Sequence, residues 1–207
     1  MSSKSNLRPV IIAVLLGTGL LPSVGSSHIP IPPKEPSEIG RRVVNKTVPD
    51  FKLTDQDGKP FQFRTTRGKL VLVTFIFTTC PDVCPLLTAK LAGIQRTMEE
   101  KKIRDYFLLS ITTDPERDTA AALKEYAGHF KAGVRNWAFL TGSRQDIAKV
   151  WKLFGVNVTK TESGQVRHTS LTTLVDQQGV RRVDYYGDKW QEKEILKDIE
   201  WLASVKK

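Results

Sequence analysis

Leu70-Val71-Leu72-Val73-Thr74-Phe75-Ile76-Phe77 runs directly into Thr78-Thr79-Cys80-Pro81-Asp82-Val83-Cys84-Pro85. The first eight residues are apolar or β-branched almost without a break, the pattern of a central strand buried on both faces. Beyond the loop, Leu87, Leu91, Ile94 and Met98 step by four, three and four, which draws one apolar stripe along a helix from about Pro85 to Lys101. Each cysteine precedes a proline, and a residue before proline is pushed away from helical angles. Cys80 and Cys84 are therefore expected on a stiff loop, with Pro85 near the first helical position. Both thiols then lie close to the helix N-terminus, whose partial positive charge favours thiolate over thiol.

Working outward from this junction, strand and helix patterns alternate. A strand is expected at Tyr106 to Thr112, then a helix from about Thr119 to Phe130 with Asp118 as N-cap. A short strand follows at Trp137 to Leu140, and then a helix at Arg144 to Phe154, capped by Ser143 and closed by Gly155. On the N-terminal side, Phe51 to Leu53 and Phe61 to Phe63 flank Asp57-Gly58 and form an N-terminal hairpin. On the C-terminal side, Ser170 to Val175 and Val180 to Tyr185 form a second hairpin across Asp176 to Gly179, and a last helix runs from Trp190 to about Val205. The order specifies an α/β fold, a mixed central sheet covered by helices.

The chain has 207 residues, 40% of them hydrophobic, which fits one domain with a tail and excludes wholesale disorder or collagen. Residues 1–26 read as a signal peptide or membrane anchor: Lys4 and Arg8 lead into an apolar run from Val10 to Leu21, then Pro22-Ser23-Val24-Gly25-Ser26. Gly17-Thr18-Gly19 interrupts the run, which is shorter than the roughly 20 residues of a spanning helix, so cleavage after Gly25 or Ser26 is favoured. Residues 27–44, with Pro30, Pro32, Pro33 and Pro36, form a semi-rigid proline-rich linker, and residues 45–207 the folded domain. This address points to the periplasm, with anchoring to the inner membrane as the alternative to cleavage. The net charge of +10 alone invites a nucleic-acid partner. Export argues against one, and pairs such as Lys101-Lys102 and Arg181-Arg182, near element ends, suit an anionic membrane surface or an acidic partner better.

Two cysteines four positions apart in an exported chain are a redox couple or metal ligands. An inert buried pair or a plain structural disulfide is a poorer fit, the latter because so small a loop gains little from closure. If the pair binds metal, a third ligand is needed, and the imidazoles are His28 in the linker, His129 after a helical apolar stripe, and His168. His168 is the best placed, after the polar stretch Thr159 to Gly164 and just before a strand.

Together, the Cys80-Pro81-Asp82-Val83-Cys84-Pro85 loop, the Asp114-Pro115-Glu116-Arg117-Asp118-Thr119 turn, and His168-Thr169-Ser170 leading to Asp176-Gln177-Gln178-Gly179 resemble the SCO/SenC copper proteins from about Asn45 onward. The resemblance implies a thioredoxin-like fold and a copper ion, Cu(I) or Cu(II), bound by Cys80, Cys84 and His168. It also implies delivery of that copper to the CuA subunit of cytochrome c oxidase, with a copper donor or a thiol reductase as further partners. Soft thiolates suit Cu(I), and imidazole suits copper as well. Arg167 stands where the family often has an acidic residue, and reads either as an offset to the site's negative charge or as a solvated surface cation. The rival reading is a thiol-disulfide oxidoreductase in which Cys80 and Cys84 exchange as a dithiol to keep the oxidase cysteines reduced. Against it, general redox proteins of the thioredoxin family have two residues between their cysteines and a later proline, and no proline follows Pro115 here.

Overall fold

The computed structural model describes residues 40–132 and 135–204. The expected signal or anchor, the linker up to residue 39 and His28 lie outside the described residues. Ten strands and four helices follow in the order β1 (Arg41–Thr47), β2 (Lys52–Thr54), β3 (Pro60–Gln62), β4 (Leu70–Ile76), α1 (Val83–Glu100), β5 (Tyr106–Thr112), α2 (Ala120–His129), β6 (Trp137–Leu140), α3 (Arg144–Phe154), β7 (Val158–Lys160), β8 (Val166–His168), β9 (Leu171–Val175), β10 (Val180–Tyr186) and α4 (Glu192–Ser204).

Six strands form one mixed sheet in the order β1-β10-β9-β4-β5-β6. β4, β5 and β6 are parallel, whereas β9 joins β4, and β10 and β1 follow, in antiparallel register. The period-2 alternation of β4 divides the core. Leu70, Leu72 and Ile76 pack with residues of α1, α2 and α4, while Val71, Val73 and Phe75 pack with residues of α3 and the N-terminal hairpin. Every residue of β4 is buried, as the continuous apolar run requires. The C-terminal ends of β4 and β5 open side by side, and β9 begins at the same end, so loops from three strands converge there.

The helix at Arg144–Phe154 matches the sequence expectation at both ends. The Ser143 side chain accepts from Asp146 N–H, and Gly155 closes the helix in the left-handed region at φ 73°. A Cβ at Gly155 would meet nothing within 4 Å, so Gly155→Ala costs backbone strain alone. The expected loss is about 1 kcal/mol, read as a lower urea midpoint at unchanged slope.

Four expectations are corrected. α1 begins at Val83 rather than near Pro85, so Cys84 is the second helical residue and not a loop residue. Pro85 is harmless there because N–H groups of the first turn have no intrahelical acceptor. Burial of Cys84, 1% exposed, outweighs the conformational bias that a following proline imposes. Asp118 does not cap α2; Thr119 does, accepting from Ala122 N–H, and Asp118 turns inward to other donors. The strand β1 begins at Arg41, inside the stretch expected to be linker. Finally, Arg181 and Arg182 are not surface cations. β10 lies between β1 and β9, and both guanidinium groups are buried, paired with Asp184 and Asp176 respectively.

Candidate metal centre

The strand-to-helix junction that follows β4 is held by a buried carboxylate. Asp118 is 0% exposed and accepts from Thr78 N–H at 3.2 Å, Thr78 Oγ1 at 2.6 Å and Thr112 Oγ1 at 2.5 Å. Burial pushes its carboxyl above the usual range, against the pull of these donors. Two residues beyond Thr78 comes Cys80, half-buried, with its N–H donating to Phe77 O at 3.2 Å. Cys84 N–H in turn points at Cys80 Sγ, 3.4 Å away. The loop thus folds the first sulfur back over the first turn of α1.

His168 arrives from the opposite side. It is the last residue of β8, which pairs with β7 in a hairpin where the sequence predicts only a polar loop. Cys84 Sγ and His168 Nε2 stand 4.0 Å apart, and Phe77 packs edge-on against the imidazole with ring centroids 5.8 Å apart. His168 Nδ1 lies 2.9 Å from Thr169 O. A carbonyl only accepts, so Nδ1 carries the proton and the Nε2 lone pair is left facing Cys84. Burial holds the imidazole pKa below its ordinary value, so the neutral, ligating form is favoured.

For Cys84 the expected thiolate bias is overturned. Desolvation comes first among the causes that raise its thiol far above the ordinary range, with Cys80 and Asp118 acting in the same direction. The helix-terminus field is outweighed because the sulfur is buried beside another sulfur and a buried carboxylate.

The fold sets His168 beside Cys84, and Cys80 Sγ lies against the Cys84 N–H. His129, by contrast, is the exposed last residue of α2. Arg167 is exposed and lies on the hairpin face opposite Val166 and His168, a solvated cation and not an offset to the site. The donors fit copper chemistry, two sulfurs and a nitrogen with the nitrogen lone pair free. A separation of 4.0 Å is also within reach of one ion bound at about 2.3 Å by sulfur and about 2.0 Å by nitrogen. No group of three His, Cys, Asp or Glu side chains among the described residues is gathered closely enough to hold an ion as it stands, so ligation asks for local side-chain rearrangement.

No local sign in the sequence shows that Asp118 turns inward to hold the cysteine loop. The alternation Val158-Thr159-Lys160 and Val166-Arg167-His168 about Gly164 is the signal that could have revealed the hairpin.

The SCO1/SenC family profile matches residues 40–204. A SCO1/SenC family lipoprotein from Bacillus anthracis has a solved structure that superimposes with a TM-score of 0.73 at 36% identity, covering 79% of this chain and 98% of that one. Bradyrhizobium japonicum ScoI, solved with copper bound, gives a TM-score of 0.64 at 33% identity over 74% of this chain and 98% of its own. BsSco, described as a member of the Sco family of cytochrome c oxidase assembly proteins and as having a disulfide switch, gives 0.69 at 30% identity over 79% and 97%.

Proposed function

The chain belongs to the SCO1/SenC family, and from that premise we propose that it carries one copper ion on Cys80, Cys84 and His168 and delivers it to the CuA subunit of cytochrome c oxidase. The observation that carries this reading is the approach of His168 Nε2 to Cys84 Sγ at 4.0 Å, with Nδ1–H committed to Thr169 O. An imidazole locked in that tautomer offers its remaining lone pair toward the cysteines, the second-layer arrangement that orients a metal-binding histidine.

Copper is the cargo, and the thiols give up their protons as it binds. Two thiolates and a neutral imidazole sum to −2, so Cu(II) makes a neutral site and Cu(I) one of −1. A three-ligand set leaves the ion open to attack by the acceptor's own ligands, which suits transfer rather than storage. Copper bound to the Bradyrhizobium relative and the oxidase-assembly role ascribed to BsSco support the reading. The N-terminal export pattern fits a periplasmic protein, cleaved or anchored to the inner membrane, where it would meet its acceptor.

The test is transfer. Copper-loaded protein mixed with the metal-free CuA domain of an oxidase subunit is expected to lose its copper to that domain, read as the copper content of each protein after separation. If copper stays on the carrier while the metal-free protein reduces a disulfide between the acceptor cysteines, the oxidoreductase reading takes the carrier's place.

A further inference from the structure

We propose that the ion-pair node of Asp114, Lys160 and Arg117 is the device that positions His168, fixing the β7–β8 hairpin against the turn that follows β5. β7 and β8 hydrogen-bond in register only to each other, so the six-stranded sheet does not set where the hairpin points. Val158 pairs with His168 and Lys160 with Val166, which places all four side chains on one face, while Thr159 and Arg167 occupy the exposed one. Lys160 therefore projects from the same face as the imidazole, two residues from its cross-strand partner.

What Lys160 meets is a carboxylate taken wholly out of water. Asp114 is 0% exposed, and its charge partners are Lys160 Nζ at 2.9 Å and Arg117 Nε at 3.5 Å. Arg117 also reaches the tip of the hairpin, where Nη2 donates to Gly164 O at 2.5 Å. Outside the node, Glu116 pairs with Lys160 and with Arg144 of α3. The Asp114 turn is itself fastened beside the cysteine loop, since Thr113 N–H donates to Ile76 O at 2.7 Å, at the end of β4. One node thus ties both the strand β7 and the hairpin tip to the end of the sheet that carries Cys80 and Cys84.

The magnitude follows from burial. An exposed ion pair contributes little, but a carboxylate buried without its cation is strongly destabilising, so the hairpin is drawn to Asp114. The hairpin is also held by buried Val166, by Val158 against both halves of the core, by Phe77 against the His168 ring, and by the exchange between Asn157 and Thr169 at its base. Those contacts lie on the base and the apolar face, and the node adds charged ties at Lys160 and at the hairpin tip. Lys160 and Arg117 are positioning residues, and their effect passes through His168.

This deepens the copper reading and rests on it for its purpose, but its test does not need the metal. In the metal-free full chain, long-range proton–nitrogen NMR of the imidazoles is expected to show His168 as a single Nδ1–H tautomer. In Lys160→Met the His168 signals average between tautomers, while those of His129 stay put, and Lys160→Arg restores the parent pattern. Asp114→Asn/Lys160→Met removes the buried charge together with its partner, so it folds even if Lys160→Met does not, and it too shows the averaged imidazole. In a copper titration Lys160→Met weakens binding about 10-fold or more, but costs nothing further when combined with His168→Ala. Unchanged His168 signals in the folded double variant, or an equal loss of copper affinity with and without His168, would overturn the proposal. If the parent binds no copper, the functional reading fails while the imidazole spectra still decide this one.

Discussion

Cys84→Ser and Cys80→Ser each lower Cu(I) affinity by more than about 100-fold, beyond what outer-layer substitutions around a metal ligand cost. Serine matches cysteine closely in size but offers a hard hydroxyl that stays protonated near neutral pH, and Cu(I) selects soft thiolate. Cys84 is 1% exposed and its backbone carbonyl accepts from Thr88 Oγ1 at 2.8 Å, a contact that serine leaves in place. The variants therefore keep the parent's melting transition while losing the metal. His168→Ala also loses one-to-one binding, because the hairpin then brings no donor to the sulfurs. Competition against a copper chelator reads all three, and a parent-like affinity for His168→Ala would remove that residue from the ligand set.

Arg41→Met is the substitution expected to cost most in stability, about 3–5 kcal/mol in urea unfolding. Arg41 makes a two-pronged bond to Asp198 of α4, Nε to Oδ2 and Nη2 to Oδ1, both at 2.8 Å. The two side chains are 2% and 4% exposed, and Tyr185 also donates to the same carboxylate. Removing the guanidinium strands a negative charge in the interior and detaches the edge strand β1 from α4. The surface pair Lys101–Glu200, 51% and 46% exposed, is the control, and Lys101→Ala is expected to change stability by less than about 1 kcal/mol. A similar small loss for Arg41→Met would mean that water reaches Asp198 when the partner is removed.

That same arginine marks where the sequence stopped being readable. β4 and α1 were legible because the period of their apolar residues is set by burial, and α3 because Ser143 and Gly155 are local signals that act within one turn. β1 was not legible. It is a mostly exposed edge strand whose first residue is buried by an ion pair with a residue 157 positions away, and its composition is that of a linker. The hairpin of β7 and β8 was missed because three-residue strands are too short for alternation to stand out.

At the candidate centre, Cys80 and Cys84 announced themselves by spacing, and His168 by its place before a strand and by family resemblance. The field around them was hidden. Asp118 directly before a helix looks like a cap, and only the fold shows it turned toward Thr78 and Thr112. Likewise the thiolate bias expected at a helix N-terminus gave way to desolvation, a property of the packed chain that spacing does not reveal. Lys160 and Asp114 stand 46 positions apart, and nothing local in either segment links them.

The most direct measurement is X-ray absorption at the copper edge of the Cu(I)-loaded full chain beside His168→Ala. Two sulfur scatterers and one nitrogen are expected in the parent, with the nitrogen lost in the variant. A first shell of sulfur alone in the parent, or the same two-sulfur, one-nitrogen shell in both proteins, would contradict ligation by Cys80, Cys84 and His168.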